Sequence, residues 1–66
     1  MRIEIEREED GRWIAEIPEI PGVMVYGDTR EQAIAKAEAL ALRVMADRLE
    51  NNEEIQEVRE VFAASA

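Results

Sequence analysis

Two prolines three residues apart, with a glycine directly after the second (Pro18, Pro21, Gly22), fix where this backbone must turn. Pro18 has no N–H to give to a ladder, so it stops the strand before it. Each proline also pushes the preceding residue toward extended geometry. Gly22 permits the positive φ that a type II turn requires after Pro21. A chain of 66 residues has few positions to spare for rigid turns. The stretch from Glu16 to Thr29 is therefore read as a connection between two strands that mainly builds the domain.

The runs on either side agree with that reading. From Met1 to Arg7 the chain alternates, with Ile3 and Ile5 on one side and Arg2, Glu4 and Glu6 on the other, the period of a half-buried strand. Asp10-Gly11 is a strong hairpin signal between alternating runs. Arg12 to Ile17 then returns antiparallel, with Trp13, Ala15 and Ile17 sharing a face, and Trp13 is read as core. Val23 to Tyr26 forms a third short strand, released by Gly27.

A helix follows. Thr29 with Gln32, or Asp28 with Glu31, fits the capping box, in which side chains satisfy orphan N–H groups of the first turn. Arg30 to Glu50 is rich in Ala, Leu, Glu, Arg and Met, all good helix formers. Ala33, Ile34, Ala37, Leu40, Ala41, Val44 and Met45 make one broad apolar stripe, and Ala35, Leu42, Ala46 and Leu49 widen it. A stripe of about 100° covers a sheet, so the surplus predicts packing against a second copy through Leu42, Met45, Ala46 and Leu49, with a looser wrap by the C-terminal segment as the rival reading. Asn51-Asn52 ends the helix, because Asn tolerates the left-handed cap conformation. Residues 53–66 fit either pattern: Ile55, Val58, Val61 and Phe62 are at helical spacing, while Val58, Glu60 and Phe62 alternate.

Length and composition narrow the function. One domain, residues 1–66, is all this length accommodates. Such a chain buries only about 60% of its unfolded surface, and without cysteine no disulfide can staple it. Association with itself or a partner is the remaining device. Histidine is absent too, which removes the usual zinc, general-base and nucleophile-activating chemistry. Glu4, Glu6 and Glu8 project the same way at strand spacing, but nothing nearby supplies the roughly six to eight oxygens of a calcium cage. Gly11, Gly22 and Gly27 do not form a phosphate loop. Neither an enzyme nor a bound cofactor or metal is expected.

The formal charge is −8. The first 28 residues set three arginines against eight acids, and residues 51–66 one arginine against four, while residues 29–50 balance at four of each sign. The acidity lies at the two ends of the chain. It argues against direct contact with nucleic acid, which needs Lys and Arg on the phosphates, and suits a basic protein partner. With acids early in the chain no secretory leader is expected, and no apolar run spans a bilayer, so the cytoplasm is expected.

Taken together, Asp10-Gly11-x-Trp13-x-Ala15-Glu16-x-Pro18-x-x-Pro21-Gly22, then Gly27-Asp28-Thr29-x-x-Gln32-Ala33 and a helix carrying Ala39-Leu40-Ala41-Leu42, resemble the HicB-like antitoxin family across about residues 3 to 50. Gln32 stands where the family usually has Glu, and serves the same capping role. The resemblance implies an α+β fold of β-β-β-α-β order, partial RNase H-like: an antiparallel sheet with one long helix on one face and no nuclease site. It places a fourth strand at about Glu57 to Ala64. It implies a dimer or tetramer that neutralises a small basic mRNA-cleaving toxin, HicA, by covering its active surface. Family antitoxins commonly add a C-terminal DNA-binding domain. None is expected here, so operator binding is not carried over. The toxin would meet the acidic strands and the turn beside them, at Glu4, Glu6, Glu8, Glu16 and Glu19. The competing reading is an orphan homo-oligomeric structural or regulatory domain without a toxin.

Overall fold

The computed structural model describes residues 1–62, which form three strands and two helices in the order β1 (Glu4–Arg7), β2 (Trp13–Glu16), β3 (Met24–Gly27), α1 (Arg30–Glu50) and α2 (Gln56–Val61). The fold is α+β: an antiparallel sheet of order β1-β2-β3 with the long helix on one face. No described helix is long and apolar enough to cross a membrane.

Each strand pairs with its sequence neighbour because each connection is a tight turn. Between β1 and β2 the Glu8 N–H donates to the Arg12 carbonyl (2.8 Å) and the Gly11 N–H to the Glu8 carbonyl (3.0 Å). With Gly11 at φ 90°, this is a three-residue hairpin loop whose last residue needs the left-handed region.

The Pro18–Gly22 stretch is two turns in succession. The Ile20 N–H donates to the Ile17 carbonyl (3.0 Å), and the Val23 N–H donates to the Ile20 carbonyl (3.2 Å) across Pro21 and Gly22 (φ 90°). The second has the proline and positive-φ glycine of a type II turn. A bond from the Ile17 N–H to the Val23 carbonyl (3.0 Å) closes the loop. The residues at the turn corners, Ile17, Ile20 and Val23, are all buried. Rigid turns thus deliver three apolar side chains to the core.

That core is completed by Ala15 and by Ala33, Ala37 and Ala41 of α1, with Ile3, Ile5, Trp13, Val25, Leu40, Val44 and Met45 packed around it. Alanines at this spacing form one narrow helical stripe and let α1 lie close to β2 and β3. At Gly27 the helix leaves no room for a side chain, since a Cβ would stand 2.5 Å from the Ala33 nitrogen.

Both ends of α1 are capped by side chain or turn. The Thr29 hydroxyl accepts from the Gln32 N–H (3.0 Å), while the Gln32 side chain reaches back to the Asp28 N–H (2.6 Å). Of the two candidate boxes, Thr29 with Gln32 is used, its return bond falling one residue early. At the other end Glu53 N–H donates to the Arg48 carbonyl (2.9 Å) and Asn52 N–H to the Leu49 carbonyl (3.0 Å), with Asn52 at φ 63°. This is the Schellman pattern.

The tail departs from expectation. A strand was expected over Glu57 to Ala64, but Gln56–Val61 is helical, and Ala63 and Ala64 lie outside the described residues. The order is thus β-β-β-α-α through residue 61, and the sheet has three strands among the described residues. Helical spacing prevails for local reasons. Winding buries Ile55 and half-buries Val58, and the Arg59 and Phe62 N–H groups bond back to the Ile55 and Val58 carbonyls (3.1 and 3.0 Å). A Glu54–Arg59 ion pair (2.7 Å) braces the turn. These bonds close within a few residues, whereas pairing with β1 must first close a loop around the whole of α1.

Candidate interaction surface

The inner face of the sheet is covered by α1; the outer face is not. Register fixes what the outer face carries. Glu4 pairs with Glu16 and Glu16 with Met24, while Glu6 pairs with Ile14 and Ile14 with Tyr26. Side chains alternate along a strand, so these six share one face, opposite Ile5, Ala15 and Val25. Two rows result: Glu4-Glu16-Met24 and Glu6-Ile14-Tyr26. Glu4, Glu6, Glu16, Ile14 and Met24 line a shallow depression of about 350 Å³. Met24 and Tyr26 are exposed although large and apolar.

Its electrostatics are one-sided. Arg2 reaches Glu4 (3.2 Å), and no described cation pairs with Glu6 or Glu16. At the hairpin end Arg12 lies over the Tyr26 ring, 4.5 Å from its centroid, and pairs with Asp10 at 2.7 Å. The Arg12 N–H also donates to Asp10 (3.0 Å). That backbone bond first, and the guanidinium second, hold the Asp10 carboxyl below its ordinary value of 3.8, while Asp10 raises Arg12. The pair is exposed, so its contribution to stability is small.

Of the five acids expected to meet a partner, Glu4, Glu6 and Glu16 come together. Glu8 lies in the β1–β2 loop and Glu19 in the first proline turn, flanking the two ends of β2. Ile14, Met24, Tyr26 and Arg12 belong to the same surface and were missed. The signal was present: if Trp13, Ala15 and Ile17 face inward, Ile14 faces outward beside Glu16. Trp13 itself is half-buried against the core, with Arg7 5.9 Å above its ring.

The four residues expected at an oligomer contact divide. Leu42, Ala46 and Leu49 are exposed, whereas Met45 is half-buried against the core.

Chemically, the outer face offers carboxylates and apolar area without a cleft. Among the described residues no three acids gather as a metal-holding group. Such a face is suited to contact with another surface. No protein-family model, curated protein or solved structure matches the chain.

Proposed function

We propose that this chain is a non-catalytic protein-binding module of the HicB-like antitoxin kind, acting in the cytoplasm, whose outer sheet face takes a small basic HicA-like mRNA-cleaving toxin. The observation that carries the reading is the juxtaposition of Glu4, Glu6 and Glu16 with Ile14, Met24 and Tyr26 on one uncovered face. Protein interfaces combine an apolar, aromatic centre with charges that steer the partner. The apolar residues supply area, and the uncompensated carboxylates select a cationic surface. Two further observations support it. The motif residues from Asp10 to Ala33 build the turns and the cap described above. The order β-β-β-α through Glu50 agrees with the first four elements of a partial RNase H-like fold.

Co-expression with a small basic HicA-like ribonuclease from the same genome tests the reading. Growth should be restored, and the complex should weaken as salt rises. Glu4→Lys with Glu16→Lys should abolish rescue while leaving the circular dichroism spectrum unchanged. Absence of any complex by calorimetry at low salt would sink the proposal.

A further inference from the structure

The two edges of the sheet are finished differently. In an antiparallel pair, directly opposed residues alternate between those that exchange backbone bonds and those that do not. The bond from the Glu8 N–H to the Arg12 carbonyl (2.8 Å) marks Glu8, Glu6 and Glu4 as the residues that bond toward β2. The N–H and C=O groups of Ile5 and Arg7 therefore point away from the sheet. By the same alternation, the bond from the Ile17 N–H to the Val23 carbonyl (3.0 Å) makes Val25 and Gly27 the bonding residues of β3. Met24 and Tyr26 then turn their backbone groups outward.

The β3 edge is occupied along its length. The Met24 N–H donates to the Gly22 carbonyl (3.2 Å), and Lys36 Nζ of α1 donates to the Tyr26 carbonyl (3.1 Å). The Asp28 N–H, next in the alternation, donates to the Gln32 side chain (2.6 Å). A lysine over a strand edge is a recurrent guard against the addition of another strand. β1 has no such guard. Among the described residues, no turn, cap or side-chain bond reaches the backbone of Ile5 or Arg7. The helix α1 packs on β2 and β3, toward the far side of the sheet from this edge.

The side chains of the open edge have a definite pattern. Glu4 and Glu6 are exposed on the outer face, with half-buried Ile5 between them on the inner one. Arg2 alone pairs with either acid, through an exposed contact to Glu4 at 3.2 Å, which another cation displaces at little cost.

We infer that the β1 edge is a strand-addition site for an extended segment of a partner protein. That segment carries Lys or Arg at alternate positions, with an apolar residue between them. Its backbone bonds to Ile5 and Arg7, its bases stand opposite Glu4 and Glu6, and its apolar residue lies beside Ile5. A second copy of β1 is a poor occupant, because it brings Glu4 and Glu6 against the same acids. The inference goes beyond the proposed function, since it requires an extended basic segment and not a toxin.

A synthetic peptide alternating lysine and valine, titrated into the full chain at low salt, tests the site. Calorimetry should detect binding that weakens as salt rises, and NMR should show slower hydrogen exchange at the Ile5 and Arg7 amides. Glu4→Lys with Glu6→Lys should weaken binding at least about tenfold. The same peptide methylated on every backbone nitrogen keeps its charge but cannot donate to an edge, and should not bind. If it binds as well as the unmethylated peptide, charge alone attracts it and the inference is overturned. Protection at the Met24 and Tyr26 amides instead, or no binding at millimolar peptide, overturns it equally. These readings use the parent protein, so they stand if the double variant fails to fold. No toxin enters the experiment, so its failure is distinct from failure of the proposed function.

Discussion

Glu4 and Glu16 stand directly opposite each other across β1 and β2, on the face of the sheet that α1 does not cover. Like charges in this position oppose pairing by roughly 0.2–1 kcal/mol. Arg2 reaches Glu4 but not Glu16. The sheet therefore holds a mild internal repulsion at the centre of the surface proposed to bind a basic partner.

Relief of that repulsion should separate stability from binding. Glu16→Thr replaces one carboxylate with a good strand former and is expected to stabilise the protomer by about 0.5 kcal/mol. The same substitution should weaken the partner complex. Urea unfolding and calorimetry, run on one preparation, check both signs. Loss of stability would show that Glu16 makes a favourable contact in the protomer.

Gly27 is required by packing and not by a special backbone angle. A methyl group there would meet the backbone of Ala33 at 2.5 to 2.8 Å, and backbone cannot swing aside as a long side chain can. Gly27→Ala should cost about 1–3 kcal/mol, seen as a lower denaturation midpoint. An unchanged midpoint would mean that α1 is free to move off β3.

Asn52, at φ 63°, follows the Asn51 cap and turns the chain out of α1. Asn52→Ala should cost about 1 kcal/mol, since a Cβ without a polar group disfavours the left-handed region by that much. Asn52→Gly should restore or exceed the original stability. Thermal melts of the three proteins give the order, and an Ala variant equal to the Gly variant would overturn the capping role.

Asp10 sets an acid-side dependence. Its folded pKa is lowered, first by the Arg12 N–H and then by the guanidinium. Its contribution is fully present above the ordinary value of 3.8 and is lost as pH falls below that value through the folded one. Carbon-detected NMR titration should place the Asp10 midpoint below 3.8. Arg12→Gln should move it back up, and a midpoint at or above the ordinary value in the parent protein would contradict the geometry.

What was legible in the sequence was whatever a few adjacent residues decide. The bounds of α1 were readable because capping residues and helix formers agree from Thr29 to Asn52. The two prolines and Gly22 announced their turns for the same reason. The tail was misread because Ile55, Val58, Val61 and Phe62 satisfy two periods at once, and the resemblance tipped them toward strand while local hydrogen bonds hold Gln56–Val61 in a helix. The outer face was half read. Its carboxylates stood out as charge, but Ile14, Met24 and Tyr26 join them only through cross-strand register. Likewise, the division of Met45 from Leu42 and Leu49 depends on where the sheet ends beneath α1.

The order β1-β2-β3, in which every strand lies beside its neighbour in sequence, has a kinetic consequence. Hairpins joined by such short turns close small loops, and α1 then docks from the adjoining residue onward, so the mean sequence separation of contacts is low. Chains of this kind fold on the order of milliseconds or faster. Newly made copies therefore pair their strands and bury the core quickly, which shortens the interval in which the unfolded chain could aggregate.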